Sequence, residues 1–369
     1  MKILIFCHSL RSDWNHGNAH FLRGVATDLI TRGHDMLVYE PHENWSAQNL
    51  VADAGSGGLE AFKQTYPALQ NRLYDLDTLN LEAELEGADL VLVHEWNEPA
   101  LVAQIGEMRK RGGDFLLLFH DTHHRAVSAP HEMAAFDLSG YDGVLAFGDI
   151  VRDLYLQKGW AARAWTWHEA ADTRVFYPIE ASQEGDLIWV GNWGDDERSK
   201  ELVEFLIEPA HTLGLKTLIH GVRYPAHALK ALQDAGIRYG GYLPNYEAPQ
   251  TFARYRATVH VPRRPYVEAL PGIPTIRPFE ALACGIPLVS APWNDAEGLF
   301  RPGTDYLVAQ NGDEMKAHLR AVLADNDLRQ SLITHGLETI RARHTCAHRV
   351  DELLNIVGEL QATPSGALA

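Results

Sequence analysis

The stretch RPFEALACGIPLVSAPW, residues 277–293, predicts a short helix, a glycine stop and a strand. The strand, 286–291, is apolar on both faces, which is typical of a parallel strand covered by helices on both sides. Glu280 does not fit a packing explanation, because we expect it in the first turn of a helix whose next residues are apolar. The stretch therefore indicates an α/β architecture and marks Glu280 as a candidate functional residue.

Short apolar runs of the same kind alternate with helix-like segments along the chain, in two series. Alternation of this type predicts two Rossmann-like, doubly wound parallel-sheet domains, which we expect to face a central cleft. The predicted organisation is an N-terminal domain at 1–170, a linker at 171–185 that is rich in small and charged residues, and a C-terminal domain at 186–345. A final helix, within 346–369, is expected to pack back on the first domain and to end in a frayed tail.

Composition narrows the class of protein. A length of 369 residues suits two domains, and no segment approaches the roughly 20 apolar residues of a membrane span. The net charge of −17, from 32 basic and 49 acidic residues, disfavours binding to nucleic acid or to an anionic membrane through bulk charge. The three cysteines, Cys7, Cys284 and Cys346, form no CxxC pair, which predicts a reducing cytoplasm.

The residues just before Glu280 are suited to a nucleotide. Ligands of open parallel sheets bind at the carboxyl ends of strands, and PGIPTIRP (271–278) is expected there. Gly272 would let the backbone approach a ligand closely, and free N–H groups at a helix start suit a phosphate. Glu280 would then accept hydrogen bonds from a ribose. The alternative is that Glu280 only stabilises the helix dipole.

Several motifs resemble the GT-B glycosyltransferases, in the same order along the chain. The donor-site pattern of that class is similar to TIRPFEALACGIPLVSAPW, 275–293. The resemblance spans nearly the whole chain and is closest to the family-4 and family-1 type and its CgeB-like, spore-maturation branch. The other similar segments are GNAHFLRGVATDLITRGHDMLVYEP (17–41), DLVLVHEWN (89–97), HEAADTRVFYP (168–178), LIWVGNWGDDERSK (187–200) and FRPGTDYLVA (300–309).

The resemblance implies a sugar-nucleotide donor site in the C-terminal domain. Arginines and a helix N-terminus would stabilise the leaving diphosphate without a metal. Two features depart from the family pattern: Gly272 stands where a first glutamate is usual, and Gly191-Asn192 replaces a glycine-arginine pair. For each arginine the alternative is a surface ion pair. The expected donor-binding residues are Arg198, Lys200, Arg263, Gly272, Ile273, Thr275, Arg277 and Glu280.

FHDTHHRA (119–126) follows an apolar strand of the first domain. Its histidines, with His94 and Glu95, raise the alternative of a metal site, although adjacent histidines on a loop rarely converge on one ion. The resemblance instead implies a catalytic His120 near the transferred sugar, with Asp121 beside it. A structural, hydrogen-bonded histidine is the remaining alternative. We predict His120 and Asp121 as catalytic residues and no metal.

HSLRSDWNHGNAH (8–20) follows the first strand, and the resemblance implies contact with the acceptor there. Trp14 either stacks on a sugar or caps the core. The string Asp75-Leu76-Asp77, expected before a helix, is interpreted as chance. The expected acceptor-binding residues are Asn15, His16, Gly17 and His94.

The sequence therefore predicts a cytoplasmic, nucleotide-sugar-dependent glycosyltransferase of the hexosyltransferase type, with a UDP-sugar as the donor type, no cofactor and no nucleic-acid partner. The acceptor, the stereochemical outcome and the oligomeric state stay open. The alternatives are a sugar-nucleotide epimerase of the same fold and a non-catalytic nucleotide-sugar-binding protein, which the glycine at 272 would favour. A phosphorylase is disfavoured by the chain length.

Overall fold

The structure, a computed structural model, describes residues 1–362 and contains two compact units. The first unit comprises Met1–Glu169 and the described part of the segment that begins at Cys346. The second unit is Ala170–Thr345, so the predicted linker, 171–185, is counted with it. The predicted frayed tail at 363–369 lies outside the described residues.

The first unit is built on a seven-stranded, all-parallel sheet in the order β3-β2-β1-β4-β5-β6-β7. Its strands are β1 (Lys2–Phe6), β2 (Asp35–Pro41), β3 (Asn71–Tyr74), β4 (Leu90–His94), β5 (Leu116–Asp121), β6 (Gly143–Ala146) and β7 (Ala164–Thr166). Its helices are α1 (Ala19–Thr31), α2 (Trp45–Ala54), α3 (Gly57–Thr65), α4 (Leu81–Leu85), α5 (Pro99–Lys110), α6 (Arg125–Ser128), α7 (Pro130–Met133) and α8 (Asp149–Gln157).

The second unit repeats this plan on a six-stranded, all-parallel sheet in the order β10-β9-β8-β11-β12-β13. A π-helical turn at Val203–Ile207 joins two of its helices into one. The strands are β8 (Gly185–Val190), β9 (Thr217–His220), β10 (Arg238–Tyr239), β11 (Tyr255–His260), β12 (Leu288–Ser290) and β13 (Leu307–Val308). The helices are α9 (Ser199–Leu202), α10 (Glu208–Thr212), α11 (Ala226–Asp234), α12 (Ala248–Phe252), α13 (Arg264–Glu268), α14 (Ile276–Ala283), α15 (Gly312–Ala324) and α16 (Asn326–Arg343).

The central strands of both sheets coincide with the apolar runs, because they are covered on both faces. The prediction of two parallel-sheet α/β domains is confirmed. Edge strands gave little signal: β3 reads NRLY with two exposed residues, and β10 has only two residues. The string Asp75-Leu76-Asp77 was expected before a helix and not at the end of a strand. It lies between the two, since Asp75 directly follows β3 and the next element is α4, so the second half of that expectation was wrong.

The last helix, α17 (Cys346–Ala362), packs in the first unit against α1. Arg32 of α1 pairs with Asp351 and donates a hydrogen bond to the carbonyl of Ala347 at 3.0 Å. Trp167 Nε1, beyond β7, donates to the carbonyl of Arg349 at 2.8 Å. The apolar face of α17 is buried, with Leu353 fully inaccessible. The first unit thus contains both ends of the described chain.

We expect Leu353→Ala to lower the free energy of unfolding by about 2–5 kcal/mol, because it leaves a cavity between α17 and its neighbours. The measurement is urea unfolding followed by tryptophan fluorescence. Asp351→Ala on the same helix is the control. Its side chain is 61% exposed, and we expect a loss below about 1 kcal/mol. Equal effects of the two changes would contradict burial of this face.

Candidate functional site

Each sheet has one point where the strand order reverses, and ligands of open α/β sheets bind at the carboxyl ends of the strands there. In the first unit the reversal lies between β1 and β4, and in the second between β8 and β11. Both points carry clusters of polar side chains. The clusters are described separately below.

The cluster of the second unit begins with Arg198, in the loop between β8 and α9. Its Nη1 donates to the carbonyl of Val261 at 2.9 Å and its Nε to that of Trp193 at 3.4 Å, while Nη2 donates to the carbonyl of Asn192 at 2.5 Å. Its guanidinium lies 5.2 Å from the ring centroid of Trp189. These contacts differ from the surface ion pair considered as an alternative. They fix the guanidinium at the end of β8.

Two further arginines lie within electrostatic range of Arg198. Burial lowers the pKa of Arg198 to about 9, and the positive charges of Arg263 and Arg277 act in the same direction. The pKa of His260, at the end of β11, is lowered to about 3 by its burial and by Arg198 and Arg277. Positive charge is therefore concentrated at the switch point of this sheet. An anion placed there would relieve the mutual repulsion.

Each of these two arginines also has an acidic partner. Arg263 pairs with Glu197 at 2.9 Å, and Arg277 pairs with Glu280 on its own helix. The neighbouring Arg264 has different contacts, since it pairs with Glu201 at 3.2 Å and donates to the carbonyl of Glu197. Arg263 belongs to the cluster because its charge acts on the pKa of Arg198. Arg264 forms a separate ion pair with Glu201.

Glu280 lies in the second turn of α14, so its predicted position in the first turn was wrong. The helix begins at Ile276 and includes Pro278 in its first turn. A proline is accepted there because the N–H groups of the first turn make no intrahelical hydrogen bond. The carboxylate is fully buried and accepts hydrogen bonds from Arg277 and from Asn245 Nδ2, the latter at 2.6 Å. The helix-dipole alternative weakens as well, since that effect fades beyond the first turn.

The loop before α14 has two unusual backbone conformations. Gly272 has φ 94°, and Thr275, the residue before the helix, has φ 61° and ψ −179°. A β-branched residue with positive φ is strained by about 1–3 kcal/mol, and such strain tends to occur at functional sites. Ile273 is 2% exposed, so its side chain belongs to the core. Its predicted role in donor binding can therefore involve only the backbone.

Gly272 is required by a close neighbour. A Cβ at this position would lie 2.6 Å from Oε1 and Cγ of Glu297. The N–H of Gly272 donates to the carbonyl of Asn294 at 2.6 Å. This N–H therefore has a partner within the protein, and the predicted phosphate donors are the N–H groups at the start of α14. The missing side chain makes room for a carboxylate of the same unit.

Lys200 is not part of the arginine cluster. It lines an open surface pocket of about 410 Å³ between the helix that contains the π turn and the start of α15. The other lining residues are Val203, Glu204, Glu208, Asn311, Gly312, Asp313 and Lys316. Lys200 is exposed, and its predicted donor contact gains no support from this position.

In the first unit, four imidazoles form a row across the carboxyl ends of β1, β4 and β5. Successive ring centroids are 5.8 Å apart from His8 to His16, 6.4 Å from His16 to His94, and 5.1 Å from His94 to His120. The last contact follows from the sheet register, which pairs His94 with His120. The sequence analysis selected three of these residues. His8 begins the segment 8–20, from which only Asn15, His16 and Gly17 are predicted to bind the acceptor.

His94 forms a buried pair with Glu95. Its Nδ1 lies 2.6 Å from Glu95 Oε2, and its Nε2 lies 2.6 Å from the amide nitrogen of Asn18 and 3.1 Å from the hydroxyl of Thr122. Burial raises the pKa of Glu95 to about 7 and lowers that of His94 to about 3. The pair is therefore neutral below neutral pH. Only Nε2 of His94 makes hydrogen bonds within the described residues, while Nδ1 faces the carboxyl group of Glu95, and the predicted role of His94 in acceptor binding stays a prediction.

The side chains of His120 and Asp121 lie on opposite faces of the sheet and do not contact a common point. They are successive residues of β5, and successive strand residues point to opposite faces of a sheet. His120 packs against Phe21 and Trp167, whereas Asp121 accepts a hydrogen bond from Tyr155 of α8 at 2.9 Å. Burial raises the pKa of Asp121 to about 7, and the charge of Glu95 raises it further. The two residues are adjacent in β5 as expected but lie on opposite faces of the sheet, and their catalytic roles stay predictions.

The loop after β1 carries the other predicted acceptor residues. His16 is buried and Gly17 is exposed. Asn15 has φ 50°, a left-handed conformation that asparagine tolerates better than most residues. This turn places Trp14 and His16 on either side of a fixed bend.

Three other expectations concern the whole chain. Across residues 1–362, no group of three or more His, Cys, Asp or Glu residues is arranged to hold a metal ion. Each of the three cysteines is buried, and none of them forms a disulfide within residues 1–362. None of the helices in the described part of the chain is long and apolar enough to cross a membrane.

The Glu95 pair leads to a pH prediction. The pKa of Glu95 is near 7 in the folded protein and near 4.5 in the unfolded chain. The contribution of Glu95 to the free energy of unfolding is therefore fully present below about pH 4.5 and is lost as the pH rises to about 7. Glu95→Gln removes this dependence. Relative to the wild type, we expect the variant to gain up to about 3 kcal/mol in free energy of unfolding between pH 5 and pH 8. Urea unfolding at both pH values measures the difference.

Glu43→Gln, at an exposed position of the same unit, is the control and should follow the wild type at both pH values. A pH-independent difference between Glu95→Gln and the wild type would show that Glu95 is ionised in the folded protein across this range.

Comparisons with known proteins agree with this architecture. A family model described as "Glycosyl transferase-like" matches residues 198–355, which include most of the second unit. No curated protein sequence matches the chain significantly.

Solved structures match almost the full length at low identity. Sucrose-phosphate synthase from Thermosynechococcus elongatus has 13% identity and a TM-score of 0.64, covering 98% of this chain and 100% of its own. Anabaena Alr3699/HepE in complex with UDP and glucose has 13% identity and a TM-score of 0.68, with coverage of 97% and 99%. An alpha-glucosyltransferase (AGT) in complex with UDP has 12% identity and a TM-score of 0.69, with coverage of 97% and 100%. The two parallel-sheet α/β units of this chain therefore have the fold of the GT-B glycosyltransferases.

Proposed function

We propose that the protein is a glycosyltransferase that moves a sugar, of the hexose type, from a nucleoside-diphosphate sugar to an acceptor hydroxyl. The observation that carries the proposal is the convergence of Arg198, Arg263 and Arg277 at the strand-order reversal of the second unit. The match to the glycosyl transferase-like family covers this region, and several structural neighbours are complexes with UDP or UDP-glucose. UDP is therefore the expected nucleotide.

The arginine cluster is suited to the leaving group. When the bond between the anomeric carbon and the diphosphate breaks, the electron pair goes to the diphosphate oxygen, where negative charge develops. Fixed guanidinium groups stabilise such charge, and arginine binds phosphate oxygens through paired N–H donors. Arg198 uses only part of its donors on carbonyls. The cluster would supply the positive charge without a metal ion.

Glu280 would accept hydrogen bonds from the ribose hydroxyls of the donor. Its carboxylate is held by Arg277 and Asn245, which fix its orientation before the ligand arrives. Thr275, in its strained conformation, would present the loop backbone to the nucleotide. In the first unit, His120 is the proposed acceptor of the hydroxyl proton, because burial lowers its pKa and leaves the imidazole neutral.

Glu297 would replace the glutamate that the family pattern places at position 272. Its carboxylate lies over the backbone of Gly272, in the space that a side chain of residue 272 would enter. A carboxylate at this place is suited to hydrogen bonds from hydroxyls of the donor sugar. With Glu297 in this role, the absence of a glutamate at position 272 would no longer favour a non-catalytic binding protein. The similarity to the CgeB-like branch and the cytoplasmic location remain proposals, the latter in keeping with the absence of a disulfide within residues 1–362.

Thermal unfolding with UDP, GDP, ADP, CDP and TDP, each with and without magnesium, tests the donor site. A ligand that binds only the folded protein raises the melting temperature. We expect UDP to raise it without magnesium. Arg263→Gln should weaken UDP binding by about tenfold, because a charge-assisted hydrogen bond is lost. Arg264→Gln is the matched control and should bind UDP like the wild type, since this arginine lies in a separate ion pair.

No shift with any nucleotide, or equal effects of the two arginine variants, would contradict the proposed donor site. Hydrolysis of UDP-glucose in the absence of an acceptor would then separate an enzyme from a binding protein. A stabilising shift without any hydrolysis or transfer would favour the binding protein.

Glu297→Gln separates recognition of the sugar from recognition of the nucleotide. We expect weaker binding of UDP-glucose by about tenfold and unchanged binding of UDP, because only the sugar hydroxyls would lose a charged acceptor. Isothermal titration with both ligands is the measurement. UDP serves as the internal control for folding of the site. Equal loss for the two ligands would show that Glu297 only supports the loop at Gly272.

A further inference from the structure

The loop after β1 and the start of α2 present an aromatic surface in the first unit. Trp45, the first residue of α2, stacks on His8 with ring centroids 4.6 Å apart. Trp14 meets Trp45 edge to face at 6.2 Å. Trp45 is 38% exposed, although a large aromatic side chain usually loses more of its surface to the core. Trp14, Trp45, His8 and His16 are together called the tryptophan–histidine surface.

Two imidazoles of this surface offer unused polar atoms. His8 and His16 are 5% and 6% exposed, and their Nε2 atoms have no hydrogen-bond partner within residues 1–362. Buried polar groups without partners are uncommon, and each calls for an explanation such as a ligand. The pKa of His8 is lowered to about 4 by burial, so both donor and acceptor nitrogens of a neutral ring are present at pH 7.

The two arginines next to the surface are already paired with carboxylates, and the carboxylate of Asp53 accepts a hydrogen bond from Trp14 Nε1 at 2.5 Å. Arg11 lies 3.4 Å from the carboxylate of Glu40, and Arg23 lies 2.7 Å from that of Asp13. An anionic ligand would therefore meet neutral imidazoles and neutralised arginines. This electrostatic environment contrasts with the arginine cluster of the second unit and favours an uncharged ligand.

The surface is held in place by a buried hydrogen-bond network. Ser46 Oγ donates to the carbonyl of Trp14 at 2.7 Å, and Ser12 Oγ donates to the carbonyl of Ser46 at 2.9 Å. Asn44 caps α2 by accepting from the N–H of Ala47 at 3.1 Å. The two indole rings are thus ordered before a ligand binds, which lowers the entropic cost of recognition.

We propose that the tryptophan–histidine surface binds a pyranose ring of the acceptor, so that the acceptor is a saccharide. A pyranose has an apolar C–H face that packs on an indole and a rim of uncharged hydroxyl groups that hydrogen-bond to neutral imidazoles. Both features match what this surface offers. The inference rests on the proposed function, because it names the class of acceptor for the same reaction.

Indole signals of nitrogen-15-labelled protein provide the test. The nine tryptophans give separable reporters, and substitution to phenylalanine assigns those of Trp14, Trp45 and Trp193. The probes are the methyl glycosides of glucose, galactose, mannose and N-acetylglucosamine, maltotriose, glycerol, inorganic phosphate and UDP. We expect at least one saccharide to shift the signals of Trp14 and Trp45, while glycerol and phosphate leave them unchanged.

UDP makes the two proposals distinguishable. Trp193 lies in the loop whose carbonyl binds Arg198, so UDP should shift its signal irrespective of any saccharide. A response of Trp193 to UDP without a response of Trp45 to any saccharide would overturn the acceptor inference and leave the donor site intact. A saccharide response without any response to UDP would contradict the donor site alone. A response of Trp45 to phosphate but not to the saccharides would also overturn the inference.

Trp45→Ala should weaken saccharide binding by about tenfold, and Trp45→Phe should restore part of it, because the stacking surface is the aromatic ring. Tyr177→Ala removes an aromatic side chain that is 49% exposed in the second unit, and it should bind the saccharide like the wild type. The melting temperature of all three variants controls for folding. Unchanged saccharide binding by Trp45→Ala would overturn the proposal.

Discussion

Parallel pairing of strands imposes the constraint on which both candidate sites depend. Neighbouring parallel strands must be joined by crossovers, so all carboxyl ends lie on one edge of each sheet and the helices begin there. In each unit the first strand, β1 or β8, lies inside the sheet, with the chain continuing first to one side of it and later to the other. The loops after these strands therefore diverge from the loops after β4 and β11. The divergence leaves a crevice at the carboxyl ends of the strands, and the two clusters of polar side chains lie at these crevices.

The two clusters that form at these places differ in charge. In the second unit, burial lowers the pKa of Arg198 and of His260, and the positive charges of the neighbouring arginines lower both further, so the site favours an anion. In the first unit, burial leaves the imidazoles and the Glu95 carboxyl neutral below pH 7. A charged donor and an uncharged acceptor would thus be selected by the electrostatics of different units. This division would also prevent a saccharide from competing with a nucleotide for one site.

The sequence predicted the parts of the fold that depend on burial. Central strands such as β1 and β4 are apolar on both faces over most of their length and are predicted by their apolar runs, whereas β3 and β10 lie at sheet edges and are short and polar. The predicted start of α14 lay too late in the chain, because the sequence does not show that Pro278 is accepted within the first turn of this helix.

Pairings between distant segments could not be predicted from the sequence. Arg198, Arg263 and Arg277 were selected by resemblance, but nothing in the sequence indicates that Arg198 bonds to three carbonyls or that Asn245 meets Glu280. The opposite orientation of His120 and Asp121 did follow from strand geometry, once β5 was known to extend through both residues. The neighbourhood of Glu297 and Gly272 depends on two loops whose shapes carry no periodic signal.

The loop at 271–275 shows how such non-local contacts maintain a strained backbone. Thr275 adopts a conformation that glycine tolerates far better, at a cost of about 1–3 kcal/mol, so other interactions must hold it. The N–H of Gly272 bonds to Asn294, Ile273 is buried, and Glu297 covers the glycine. On the helix side, Glu280 is fixed by Arg277 and Asn245. Packing of the two segments on either side of Thr275 does not by itself require a strained residue between them. A ligand that contacts the backbone at a set position would require one. The strain at Thr275 thus gives an argument for a ligand site at this loop that is independent of any sequence pattern.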